Sequence, residues 1–146
     1  MELEGFCYCE RIRFRIELKS DTEVVPLYCH CESCRRAHAA PLYQIVYIPP
    51  DCFVVTEGQD LLSSFLKNVR CERFFCTNCG SRIYNQLHGF VEGSKTNGKL
   101  GIFPALLNED IQHKLPKLFQ PNVHLYSNEA VIDMETLNDN IRRHTD

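Results

Sequence analysis

The sequence predicts a mainly β protein of antiparallel sheets, and three patterns favour this class. Residues 11–18 alternate charged and apolar side chains, as expected of a strand with one buried face. Short apolar runs recur along most of the 146 residues, and turn-forming residues such as Gly, Pro, Asn and Asp separate them. No repeat, linker or low-complexity tract interrupts these runs, so we expect one domain over residues 1–146.

In chain order, the strand-like segments are residues 11–18, 24–28, 42–48, 53–56, 61–66, 73–75, 82–87, 100–103 and 123–126. Turn residues lie between apolar runs at 49–51, 57–60, 93–98 and 108–110. A short helical turn is predicted over 33–40. A short C-terminal helix is predicted over 134–143, with Thr136 as its candidate cap.

Charge and hydropathy exclude several classes of function. Sixteen Lys and Arg against 19 Asp and Glu give a net charge of -3 and a pI near 6.1, which does not favour nucleic acid as a partner. No apolar run reaches the roughly 18 to 20 residues of a membrane span, and residues 1–4 do not resemble the start of a signal peptide. We therefore expect a cytoplasmic chain that binds neither nucleic acid nor membrane.

The nine cysteines carry the clearest chemical signal. An odd number in a reducing compartment disfavours a disulfide framework. Cys52 and Cys71 stand alone and are interpreted as small buried apolar residues. The other seven form three groups: a first pair, Cys7 and Cys9; a second cluster, Cys29, Cys31 and Cys34; and a knuckle, Cys76 and Cys79.

The knuckle has the Cys-x-x-Cys spacing that directs two thiolates at one zinc ion. Gly80 follows it directly and can adopt the positive φ that closes such a turn. A thioredoxin-like redox pair is the alternative, but it requires a helix after the motif, and residues 81–85 have the composition of a strand.

Because a structural zinc takes four ligands, the seven clustered cysteines divide into a group of four and a group of three. The second cluster spans one short turn and can converge alone, whereas the first pair and the knuckle need each other to complete four ligands. Three thiolates leave one position of a tetrahedral zinc open, which predicts chemistry or ligand exchange there. A zinc ribbon that joins Cys31 and Cys34 to the knuckle is the competing grouping.

His30, between two ligands in an extended stretch, is interpreted as exposed or as supporting the ligands rather than binding metal.

These motifs resemble the glutathione-dependent formaldehyde-activating enzymes, a family grouped with the centromere protein V domain. The resemblance extends over nearly the whole chain. It lies in Gly-Phe-Cys-Tyr-Cys at 5–9 with Ile-Arg-Phe at 12–14, in Cys-His-Cys-Glu-Ser-Cys-Arg-Arg at 29–36, in residues 73–81 around the knuckle, and in the His124-bearing segment 122–127.

The resemblance implies an Mss4-like fold with two zinc ions per chain. It implies a structural zinc on the first pair and the knuckle, and a catalytic zinc on the second cluster. It also implies a carbon–sulfur lyase type of reaction, in which glutathione and formaldehyde form S-hydroxymethylglutathione. A small thiol such as glutathione and a small aldehyde are then the expected partners. The rival hypothesis is a zinc-stabilised protein-binding module without catalytic activity.

Several residues depart from the family pattern. Glu10 and Ala39 stand where the family commonly has Gly, and His38 stands where a small residue is usual. A basic residue and a Trp that often follow Ser127 are missing, and the chain has no Trp. No general base is evident. The basic residues nearest the clusters are interpreted as solvated, namely Arg35, Arg36, Arg70, Arg73 and Lys95.

Overall fold

The computed structural model describes residues 1–145 and confirms a mainly β fold. In this range all nine predicted strand segments form, and a β1 and a β11 are added at the two ends. The strands are β1 Glu2–Phe6, β2 Arg13–Glu17, β3 Val25–Cys29, β4 Tyr43–Ile48, β5 Phe53–Glu57, β6 Leu62–Leu66, β7 Cys71–Cys76, β8 Arg82–Leu87, β9 Leu100–Ile102, β10 Val123–Leu125 and β11 Arg142–Arg143. The helices are α1 Glu32–His38, which confirms the predicted helical turn over 33–40, and α2 Glu109–His113.

The strands form two sheets. A three-stranded sheet has the order β1-β2-β5, and an eight-stranded sheet has the order β11-β10-β3-β4-β9-β8-β7-β6. Neighbouring strands are antiparallel except at β10, which runs parallel to both β3 and β11.

The main hydrophobic core contains side chains of both sheets. On β2 the inward Phe14 and Ile16 are buried, as the alternating pattern predicts, and they belong to the same core as Ile48 of β4 and Ile83 of β8. The intervening arginines of β2 pair with surface glutamates, so they are solvated as expected.

A second, smaller core lies around α1. It contains Cys34 of α1, Cys29 of β3 and Ile45 of β4. Because side chains alternate along β4, Ile45 belongs to this second core while Val46 and Ile48 belong to the main one. The cysteines of the second cluster are therefore embedded in a packed layer.

The predicted C-terminal helix over 134–143 is wrong. Residues 134–137 form a turn, Asn138 and Asn140 have φ of 43° and 57°, and β11 follows. The Thr136 hydroxyl donates to the Asp133 carbonyl at 2.8 Å instead of capping a helix. Tertiary contacts override helix propensity in this segment. Asp139 forms a hydrogen bond with His124 of β10, and β11 pairs with β10.

No helix within residues 1–145 combines the length and the hydropathy that a membrane crossing requires.

Candidate metal centres

Four cysteines from both sheets converge in one group, here called the four-cysteine site. The first pair lies in the turn after β1, Cys76 ends β7, and Cys79 lies in the turn before β8. Their four sulfurs all lie within 4.8 Å of one another, with 3.5 Å between Cys7 and Cys9 and 3.8 Å between Cys9 and Cys76. A tetrahedral zinc with bonds of about 2.3 Å places its sulfurs about 3.8 Å apart. The donor set and its spacing therefore fit zinc.

Local backbone geometry builds the two turns of this site. Gly80 has φ of 78°, and its N–H donates to the Cys76 carbonyl at 2.8 Å, which closes the knuckle as predicted. In the opposite turn the Glu10 N–H donates to the Cys7 carbonyl at 2.8 Å, and the Ile12 N–H donates to the Cys7 sulfur at 3.4 Å. An amide that donates to sulfur, as that of Ile12 does, stabilises the thiolate and orients it toward a metal.

The sulfurs of this site differ in acidity. Burial raises the pKa of Cys7 to about 11. At Cys79 burial also raises the pKa, but hydrogen bonds from the Ser81 hydroxyl and amide outweigh it and lower the pKa to about 6. Binding of a metal would thus begin from a partly ionised set and release protons from the rest.

The second cluster forms a separate group, here called the three-cysteine site. Cys29 ends β3, Cys31 is the N-cap of α1, and Cys34 lies in its first turn. Their sulfurs lie within 4.8 Å of one another, and no fourth Cys, His, Asp or Glu among residues 1–145 belongs to the group. The zinc-ribbon grouping is therefore not formed. Three thiolates fit a metal whose remaining position is open to a ligand.

Two side chains from other strands contact the Cys34 sulfur. The Tyr43 hydroxyl of β4 donates to it at 3.2 Å, and Nη2 of Arg73 of β7 lies 3.7 Å away. Hydrogen bonds from Cys29 and Cys31, followed by those from Tyr43 and the charge of Arg73, hold the pKa of Cys34 well below its usual range. Three thiolates around a divalent ion would leave one net negative charge, which the buried guanidinium of Arg73 would balance.

The sequence model of the glutathione-dependent formaldehyde-activating enzyme family matches residues 2–129. The chain belongs to this family. A crystal structure of a Rhodobacter sphaeroides protein is similar over 98% of this chain and 100% of that chain, with 18% sequence identity and a TM-score of 0.56, which shows the fold alone. A search of curated proteins found no match.

Two departures from the pattern of the formaldehyde-activating family occur at strained backbone positions. Glu10 has φ of 62° and Ala39, the C-cap of α1, has φ of 50°. Both lie in the left-handed region, where Gly is favoured and other residues are strained. Both turns form without Gly, and the strained φ angles lower the stability of the fold.

The third departure, His38, fills space beside the three-cysteine site. Its ring stacks on Tyr43 with centroids 4.3 Å apart. Burial lowers the pKa of His38 to about 4, and its Nε2 is buried without a hydrogen-bond partner among residues 1–145. His38 is therefore a neutral aromatic side chain that packs beside the second core.

A chain of three side chains supports the loop of the three-cysteine site from behind. Buried His30 shares a hydrogen bond of 2.8 Å with His124 of β10, and His124 shares one of 2.7 Å with Asp139. His30 is thus not exposed, and it supports the ligand loop as the second interpretation predicts. Sequence reasoning missed Asp139 because it lies inside the predicted C-terminal helix, and the local sequence contains no signal for it.

The basic residues near the clusters have different surroundings. Arg73 is only 8% exposed, so its interpretation as solvated is wrong. Arg35 donates to the His30 carbonyl at 2.9 Å, and Arg70 donates to loop carbonyls at His88 and Gly89. These two arginines stabilise loops, whereas Arg73 belongs to the site.

The remaining cysteines and a cavity lined by acidic residues lie outside these sites. Cys52 and Cys71 are half-buried free thiols, and burial raises the pKa of each. The cavity, of about 660 Å³, is lined mainly by acidic and polar residues such as Glu17 and Asp51 and by none of the seven clustered cysteines. A thiol substrate would find no metal-binding sulfur there.

Proposed function

We propose that this protein is a zinc-dependent enzyme of the carbon–sulfur lyase type, acting on an adduct of a thiol and an aldehyde. The proposed reaction joins glutathione and formaldehyde into S-hydroxymethylglutathione, and its reverse breaks the same bond. The observation that carries the proposal is the three-cysteine site, which offers three sulfurs and leaves a fourth ligand to come from outside residues 1–145. Family membership supports the choice of glutathione and formaldehyde.

The proposal assigns two zinc ions to the chain. Cys7, Cys9, Cys76 and Cys79 would hold a structural zinc that ties the two sheets together, and Cys29, Cys31 and Cys34 would hold the catalytic zinc. Zinc with three thiolate ligands is a weak Lewis acid, and it favours a further thiol in its reactive thiolate form.

The chain's own residues prepare the site. Tyr43 and Arg73 stabilise negative charge on the Cys34 sulfur, and Arg73 offsets the excess charge of three thiolates. The N-cap at Cys31 and the bond between His30 and His124 hold the loop in place. In the reaction a sulfur–carbon bond forms, the carbonyl π bond opens, and the thiol proton ends on the new hydroxyl.

The proposal also places the enzyme in the cytoplasm as one domain over residues 1–146. Nine free cysteines suit a reducing compartment, where glutathione is available as the thiol partner.

Zinc analysis and X-ray absorption test the proposal. Protein purified without chelator should hold two zinc ions, and added glutathione should bring a fourth sulfur to one of them. Exchange of ¹³C-formaldehyde into its glutathione adduct, followed by NMR, should then be faster with the protein than without it. Two closed sites indifferent to thiols, with no acceleration, would instead favour the protein-binding module.

A further inference from the structure

A cleft of about 210 Å³ opens beside the three-cysteine site. α1, β7 and β8 contribute to its lining, together with the end of β6 and the residue that follows. No carboxylate lines it. The cleft is lined by four cationic side chains, one hydroxyl group and one aromatic ring, which belong to Arg36, Lys67, Arg73, Arg82, Ser33 and Phe65.

Arg73 connects this cleft to the three-cysteine site. Its Nη2 lies 3.4 Å from the Ser33 hydroxyl and 3.7 Å from the Cys34 sulfur. Its Nη1 is buried and has no hydrogen-bond partner among residues 1–145. A buried donor without an acceptor is costly, so an acceptor brought by a ligand would be stabilised there.

The positive charge of the cleft is only partly offset by the protein. Arg36 is paired with Glu32 at 2.8 Å, and Arg73 faces the Cys34 sulfur. Lys67 and Arg82 form no ion pair with a carboxylate of residues 1–145. Arg82 is fixed by a bond of 3.0 Å from its Nε to the Ala37 carbonyl. Burial, together with the charge of Arg73, lowers the pKa of Arg82, which shows that the two guanidinium groups repel each other. An anion between them would relieve that repulsion.

The volume indicates how much of a ligand enters. Pockets that enclose a whole drug-sized molecule measure about 300–1,000 Å³. The cleft is smaller, so it suits a terminal group of a ligand whose remainder lies outside. Arginine side chains bind a planar carboxylate with paired hydrogen bonds.

We propose that this cleft binds a carboxylate of the thiol substrate while the substrate sulfur meets the three-cysteine site. The identity of the substrate as a thiol rests on the proposed function. The presence of an anion site does not, since it follows from the cleft itself. Thiols that carry a carboxylate should therefore be preferred over neutral thiols of the same size.

Binding of S-methylglutathione to the zinc-loaded protein tests the cleft without any reaction. In isothermal titration calorimetry, the double variant Lys67→Gln, Arg82→Gln should bind at least about tenfold more weakly than the wild type. Lys67→Gln alone changes an exposed side chain and should reduce affinity without disturbing the fold. Lys114→Gln is the matched control, because Lys114 is also exposed but follows α2 and does not line the cleft.

Kinetics with a matched pair of thiols adds a second readout. N-acetylcysteine and N-acetylcysteinamide differ only by the carboxylate, and the wild type should show a KM at least about tenfold lower for the acid. The double variant should lose most of that discrimination, and Lys114→Gln should keep it. Equal affinity for inorganic phosphate and S-methylglutathione would identify a general anion site and overturn the assignment to a thiol substrate.

The outcomes separate the cleft from the reaction. If S-methylglutathione binds through Lys67 and Arg82 but no adduct forms with formaldehyde, the proposed function fails and the anion site stands. If adducts form while the double variant keeps wild-type affinity and discrimination, the cleft assignment fails and the function stands. Absence of S-methylglutathione binding to the wild type would also overturn the proposal that the cleft binds a substrate carboxylate.

Discussion

Serine substitution of one cysteine should unfold the protein at the four-cysteine site but leave it folded at the three-cysteine site. Cys76 is fully buried in the main core, and its sulfur is one of the four that converge in the four-cysteine site. A structural zinc supplies about 10–16 kcal/mol of folding free energy, whereas a domain of this kind is stable by about 5–15 kcal/mol. Loss of that zinc in Cys76→Ser would remove free energy comparable with the whole stability of the fold, so the variant should unfold.

Cys31→Ser should leave the fold intact. Cys31 is half-buried and accepts a hydrogen bond from the Cys34 N–H at 3.4 Å as the N-cap of α1. Serine is among the preferred N-cap residues, so the cap survives and the cost should stay near 1 kcal/mol or below. The protein should keep one zinc and lose formation of the glutathione adduct.

The assay combines zinc content by mass spectrometry, urea unfolding by circular dichroism and adduct formation by NMR. Cys52→Ser is the control, because Cys52 is a half-buried cysteine outside both sites and should keep two zinc ions and activity. If Cys31→Ser unfolds as completely as Cys76→Ser, the division into a structural and a catalytic metal is refuted. A folded Cys76→Ser protein that lacks its zinc would refute it equally.

Three further substitutions test the geometry around the three-cysteine site. Ala39→Gly should raise the free energy of unfolding by about 0.5–1 kcal/mol, because relief of the strained φ of 50° exceeds the entropy cost of Gly. His38 has a pKa of about 4 in the folded state and about 6.5 when unfolded, so the unfolded chain binds more protons and stability falls as the pH drops. His38→Phe keeps the stacking on Tyr43 and removes this loss, so urea titrations should show it gaining about 2 kcal/mol over the wild type between pH 7 and pH 5. Asp139→Ala should cost about 1–3 kcal/mol, because it leaves Nε2 of buried His124 without its partner, and amide exchange at β11 should become faster.

Each of these expectations has a result that contradicts it. A lower melting temperature for Ala39→Gly would show that the backbone at this position is not strained. A pH-independent difference between His38→Phe and the wild type would mean that His38 does not titrate below its usual range. Glu135→Ala, an exposed change in the same segment, is the control for Asp139→Ala, and equal exchange rates in the two variants would remove the role of Asp139.

Strand positions were largely predictable because the signal is local. Alternation over residues 11–18 depends only on neighbouring side chains, and β2 forms within that segment with Phe14 and Ile16 inside. β1 was missed because a short run containing Gly5 has little strand character of its own. Gly5 is explained only by packing, since a Cβ there would lie 2.4 Å from the Leu106 carbonyl oxygen.

The grouping of the cysteines was also readable from the sequence. Sulfurs two to five residues apart can meet on a single turn, and the tetrahedral preference of zinc then limits how seven of them divide. The structure brings the sulfurs together in that division. Position in the chain did not reveal which basic or acidic side chains would join them.

The sequence by itself determined the mainly β class, the three local groups of cysteines and the turn at Gly80, because each depends on residues close together along the chain. The first pair meets the knuckle across 67 residues, and ligand counting predicted this meeting with the zinc ribbon as the competing grouping. Only the tertiary structure decided the partners of the three-cysteine site. Arg73 meets Cys34 across 39 residues, and His30 meets His124 across 94. Those contacts follow from the order in which strands pair and from the position of α1 over the sheet. Such an order is fixed by the burial of the whole core, so no local pattern could have revealed it.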